Sequence, residues 1–94
     1  MASKAKAYVV VRTRSAGVHV GVLESRKGLE VVLSKARRLW SWKGANTLSE
    51  VSLHGVAAGS KVSEAVSSVT LTEAIEVIPA TAKARKNLES ASWA

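Results

Sequence analysis

Apolar residues recur with two different periods along this chain, and the change from one to the other separates strands from helices. From Ala7 to Arg14 the run AYVVVRTR is β-branched and alternating, and Ser15-Ala16-Gly17 closes it with a turn. Val18, Val20 and Val22 alternate with His19, Gly21 and Leu23 up to Ser25-Arg26-Lys27-Gly28, which gives a second strand and a meander. Leu29 to Leu33 reads as a short third strand. A turn at Ser34-Lys35-Ala36 leads to a fourth strand, Arg37 to Lys43, bounded by Gly44, although Ala36 to Trp42 alone also fits one helical turn. The longest β-type pattern runs from Val66 to Ile78 and puts Val69, Leu71, Glu73, Ile75 and Val77 on one face, with Pro79 as its stop.

Three segments break the alternation. Thr47-Leu48-Ser49-Glu50 fits a capping box, so a helix is expected from Leu48 to about His54, with Gly55 as a left-handed stop. Ala57 to Ser63 is small and polar and reads as an exposed loop. Thr81 is placed to cap a last helix through about Ser90, with Ala84 and Leu88 inward and Lys83 and Lys86 outward. The expected fold class is α+β: a small, antiparallel, strongly twisted sheet, a meander, with two short helices. One domain is expected over residues 1–94: a flexible basic N-terminal segment (1–6), the sheet with its inserted helix (7–79) and the C-terminal helix (81–90).

Composition narrows the function. The 94 residues contain no cysteine and no aspartate, and His19 and His54 are far apart, so neither a disulfide nor a metal site is expected. A chain of this size with 47% hydrophobic residues and no such reinforcement is expected to form a homo-oligomer. The opening MASKAK lacks the apolar segment of a signal peptide, and no run is long enough for a membrane span. The expected location is therefore the cytoplasm, or a particle assembled there.

The net charge of +7 is unevenly placed. Residues 1–47 hold ten lysines and arginines against Glu24 and Glu30, a net of +8, whereas residues 48–94 come to −1. A field over one part of the molecule draws anions: nucleotides, nucleic acid or acidic protein.

Within that basic half, strand alternation sets Arg38, Trp40 and Trp42 on one face and Arg37, Leu39 and Ser41 on the other. Indoles stack nucleobases for about 1–3 kcal/mol each, and guanidinium groups hold phosphate in bidentate fashion. Trp42, nearer Gly44, is expected to be the more exposed tryptophan, and Trp40 the more buried. Arg12 and Arg14 share a face of the first strand beside the Ser15-Ala16-Gly17 turn and complete the expected ligand-binding set of Arg12, Arg14, Arg37, Arg38, Trp40 and Trp42. Glu73, alone on an apolar face, is expected to need a cation and to form a structural ion pair. His19 reads as a hydrogen-bonded structural residue, and no tuned partner, nucleophile motif or phosphate loop accompanies it. No catalytic residue and no cofactor is therefore assigned.

The segments VRTRSAGVHVGVL (Val11–Leu23), SKARRLWSWKGANTLSEVSLHGV (Ser34–Val56) and LTEAIEVIPAT (Leu71–Thr81) together resemble a domain-of-unknown-function family of roughly ninety-residue proteins from phages and prophages. The resemblance covers nearly the whole chain and implies a phage-encoded protein acting in the host cytoplasm, without implying an activity. A weaker similarity, of composition alone, is to small phage anti-defence sponges that sequester a host immune signalling nucleotide in arginine- and aromatic-lined pockets between subunits. The leading expectation is thus a non-enzymatic phage accessory protein that binds a nucleotide-type anion. The alternatives are a decoration or cement protein of the virion and a nucleic-acid-binding module.

Overall fold

The computed structural model describes residues 6–42, 47–57 and 60–91. Strands β1 (Tyr8–Thr13), β2 (Val18–Lys27) and β3 (Glu30–Ser41) form the meander, joined by turns with Gly17 and Gly28 at positive φ. After β3 come α1 (Leu48–His54), β4 (Lys61–Val62), β5 (Val66–Leu71), β6 (Ala74–Pro79) and α2 (Ala82–Ser90). All strand pairs are antiparallel: β2 lies between β1 and β3, β6 flanks β1, and the outer side of β3 takes β5 along its first half and β4 at its end. This is the α+β class the alternation predicts. Both helices start where their threonines cap them: Thr47 Oγ1 accepts from Glu50 N–H and Thr81 Oγ1 from Ala84 N–H.

Besides β4, which lies inside the expected exposed loop Ala57–Ser63 and buries Val62, and β2, which runs on through Ser25-Arg26-Lys27, two strand boundaries differ from the sequence reading. Ser34-Lys35-Ala36 is no turn, because β3 runs unbroken through it. Lys35 sits at φ 49° as an extra residue, and the β2–β3 register shifts between Val20↔Arg37 and Val22↔Ser34. Gly21 makes room for this bulge, since a Cβ there would stand 3.0 Å from Ser34 O and 3.1 Å from Ala36 Cα. The same continuity rules out the helical turn at Ala36–Trp42. The expected end of that strand at Lys43 and Gly44 lies outside the described residues.

The second correction concerns Val66–Ile78, which is two strands and not one. It breaks at Thr72-Glu73, after which the chain pairs with β1 instead of β3. Leu71 and Ala74 can be no more than about 11 Å apart along the chain. In a flat sheet β5 and β6, separated by β3, β2 and β1, would stand about 19 Å apart. The sheet must therefore curl until its outer strands meet at this joint. Arg14 N–H to Glu73 O and Ala74 N–H to Leu29 O, both 3.0 Å, fasten it.

The curl gives the sheet an inside and an outside, each with its own core. Inside, Val9, Val11, Val31, Leu33, Ala36, Leu71 and Ala74 pack together. Outside, α1 and α2 cover Tyr8, Val10, Val20, Val22 and Leu39, bringing Val51 and Leu88. The bulge at Lys35 keeps Ala36 inside after Val31 and Leu33, and so delivers Leu39 to the helix side.

Tyr8 carries the buried exception. It is 4% exposed, and its hydroxyl has no hydrogen-bonding partner among the described residues. Burial first, and Glu89 second, push its pKa up to about 12 from 10.0. A folded-state pKa above the unfolded one stabilises below pH 10, and that contribution, about 2 kcal/mol, is lost as pH climbs towards 12. Tyr8→Phe is expected to be as stable as the parent at pH 7 or up to about 1 kcal/mol more so, and to lack that part of the alkaline decline. Urea denaturation from pH 7 to 11.5 checks this, and a loss above about 1 kcal/mol at pH 7 would mean that the hydroxyl has a partner.

Candidate functional site

The six arginines and tryptophans singled out by the sequence do not share one surface. Arg38 and Trp40 follow Ala36 on the inner face of β3 and are exposed, Trp40 at 66%. Arg38 pairs in register with His19 of β2; the last pair of that ladder is Val18↔Leu39, and Trp40 lies just beyond it. Trp42 lies beyond the end of β3, is only partly exposed, and packs against the helix-side core. The expected order of exposure is thus reversed: Trp40 is the exposed indole and Trp42 the packed one.

Arg37 points the other way from Arg38 and is committed to the fold. Its Nε–H donates to Ser63 O (2.7 Å), Nη1 to Leu88 O (2.7 Å) and Glu89 O (2.9 Å), and Nη2 to Val62 O (3.5 Å) and Ala91 O. A guanidinium has five N–H donors, and here each meets a backbone carbonyl. Three of these carbonyls lie at the end of α2 and two at the end of β4, so Arg37 caps the helix and ties it to the sheet. Its donors are thus committed to the fold.

Arg12 shares the helix-side face of β1 with Tyr8 and Val10, exposed, level with Val18 and Glu76. Arg14 is exposed past the end of β1, its amide held by Glu73 O. Glu73 itself corrects the ion-pair expectation. The break at Thr72-Glu73 takes it off any apolar face into solvent, where Oε1 accepts from Ser15 Oγ at 2.7 Å and no salt bridge reaches it among the described residues.

What the curl does assemble is a cavity of about 350 Å³ on the inner face between β2, β3 and β5, lined by His19, Ala36, Arg37, Arg38, Ser63, Val66 and Val69. Ser63 is locked to β3 through both backbone and side chain, its N–H donating to Arg38 O (2.9 Å) and its Oγ accepting from Arg38 N–H (2.8 Å). His19 is 4% exposed, and its Nε2 lies 2.9 Å from Ala16 O. A carbonyl only accepts, so Nε2 carries the proton and Nδ1 keeps its lone pair. Burial, with a smaller contribution from Arg38, holds the imidazole pKa below its usual value, against the opposing pull of the Ala16 carbonyl. The ring is therefore neutral at pH 7, and of the two arginines that line this cavity Arg38 is the exposed one. The sequence missed the cavity because Ser63, Val66 and Val69 reach β3 from thirty residues away.

Among the described residues no group of histidines and acids is placed to hold a metal ion, and no helix is long and apolar enough to cross a membrane. The fold and site define a small basic α+β domain whose curled sheet opens on a cavity beside an arginine and a tryptophan. The chain belongs to the family described as Domain of unknown function (DUF6948), which it matches over residues 6–88. No curated protein and no solved structure matches it.

Proposed function

We propose that this chain is a non-catalytic binding protein for a nucleotide-type anion, held at the inner-face cavity by Arg38 and Trp40. The observation that carries the reading is the exposed guanidinium of Arg38 at the mouth of a cavity of about 350 Å³, with the 66%-exposed Trp40 two residues along the same face. That volume lies in the range of small-molecule sites. The mixed lining of valines, arginines and a neutral imidazole suits a ring with an attached phosphate. The phage setting implied by the sequence resemblance belongs to this reading, with sequestration of a host signalling nucleotide as the role such a binder would serve.

Calorimetry with a panel of mono-, di- and cyclic nucleotides tests it. Arg38→Ala is expected to weaken binding at least tenfold, and Trp40→Ala by about 1–3 kcal/mol with loss of ligand-induced fluorescence quenching. Trp42→Ala should leave affinity unchanged and lower stability. The reading fails if no nucleotide binds or if Arg38→Ala has no effect. A second reading, nucleic-acid binding, is favoured by the exposure of Arg12, Arg14, Arg26, Lys27 and Lys35 around the molecule. Salt separates the two, because a polyanion releases many counterions on binding and loses affinity steeply, whereas a small ligand in a cavity loses little.

A further inference from the structure

We infer that β5 is the surface on which a second copy of this chain docks, by antiparallel pairing of β5 with β5. Among the described residues the main chain of β5 is laddered on one side only, to β3 from Val31↔Leu71 to Ala36↔Val66. Its other side has no ladder partner among the described residues, since β6 pairs with β1 and follows β5 only through the joint at Thr72-Glu73. An exposed strand edge offers a row of amides and carbonyls to any strand that arrives, and monomeric proteins guard such edges with charges, proline or brevity. The other edges here are guarded: β4 is two residues long and carries Lys61, and β6 carries Glu76 and ends on Pro79. Strand β5, VSSVTL, has neither a charge nor a proline, and Val66, Ser67, Ser68 and Thr70 are exposed, Val66 at 52%.

Charge placement selects a second copy as the occupant. A chain of net charge +7 repels a second copy of itself least where its surface carries no charge, and the six residues of β5 carry none, although Lys35 and Arg38 stand on the adjacent β3. A two-fold axis normal to the sheet must place one residue opposite itself. With Ser68 on the axis, Ser67 faces Val69 and Val66 faces Thr70, an alternation of small hydroxyl and β-branched residues suited to cross-strand pairs. The sheets of the two copies then run on as one. The two positions tested below are separate from ligand binding, for Ser68 and Thr70 do not line the inner-face cavity, whereas Val66 and Val69 of the same strand do.

Sedimentation velocity of the full chain at 150 mM salt is the test. A dimer is expected at micromolar concentration, strengthening as added salt screens the self-repulsion. Ser68→Lys with Thr70→Lys, at two exposed positions, should leave the circular dichroism spectrum and nucleotide binding unchanged and weaken the dimer at least tenfold, because like charges then meet across the axis. As a second readout, Ser68→Cys introduces the sole thiol of a cysteine-free chain. Opposed Cβ atoms about 4.5–5.5 Å apart lie close enough for mild oxidation to give a covalent dimer, which Ser25→Cys on exposed β2 should not. A monomer at tens of micromolar overturns the inference, as does a dimer indifferent to the two lysines.

Discussion

Arg37→Ala will destabilise the protein by about 3–5 kcal/mol, more than any other exchange among its fourteen basic residues. Five carbonyls, from Val62, Ser63, Leu88, Glu89 and Ala91, lose a charged donor at once. Each such bond contributes about 1.5–3 kcal/mol, and water recovers part of the sum because the side chain is not fully buried. The C-terminal turn of α2 should fray first, exposing Leu88. Arg37→Lys should recover only a minor fraction, since an ammonium carries three donors and cannot span carbonyls from two separate segments. Urea denaturation with amide hydrogen exchange across residues 82–91 measures both effects. A loss below about 1 kcal/mol would show that the carbonyls are as well served by water.

Gly55→Ala will cost about 3 kcal/mol through a different mechanism. Gly55 ends α1 at φ 80°, ψ −152°, a conformation that side-chain-bearing residues reach only with strain of about 1–3 kcal/mol. A Cβ there would also collide with the carboxamide of Asn87. That carboxamide joins the two helices: Oδ1 accepts from Val56 N–H (2.8 Å) and Nδ2 donates to Val56 O (3.0 Å). The strain belongs to residue 55 alone, whereas the collision needs both residues. A double-mutant cycle with Asn87→Ala therefore separates them, and Gly55→Ala should cost at least 1 kcal/mol less in the Asn87→Ala background. Additive losses would leave the backbone as the whole cause.

Both helices were legible because their determinants are local: a threonine, the amide three residues on, and a glycine or proline nearby. The strand patterns were legible as patterns, but their partners were not. Nothing near Lys35 distinguishes a bulge from a turn, since the choice depends on Gly21 lying across the ladder. Likewise Thr72-Glu73 looks continuous with its flanks, and only the competing claims of β3 and β1 break the strand there. The candidate site divides in the same way. Alternation placed Arg38 and Trp40 together, and they are together. It failed for Trp42, which lies past the last strand residue, Ser41, and is free to turn towards the helix-side core. Arg37 could not be told from Arg38 because the carbonyls that claim it come from residues 62–63 and 88–91.

The joint at Thr72-Glu73 also dictates an order of events during synthesis. The meander of β1, β2 and β3 makes only short-range contacts and can form as soon as Ser41 leaves the ribosome, whereas the curl waits for β5 and β6. Until then Val9, Val11, Val31 and Leu33 face water on a sheet with open edges, the condition under which nascent chains associate. Fragments that stop before Val66 should consequently be strand-rich and insoluble.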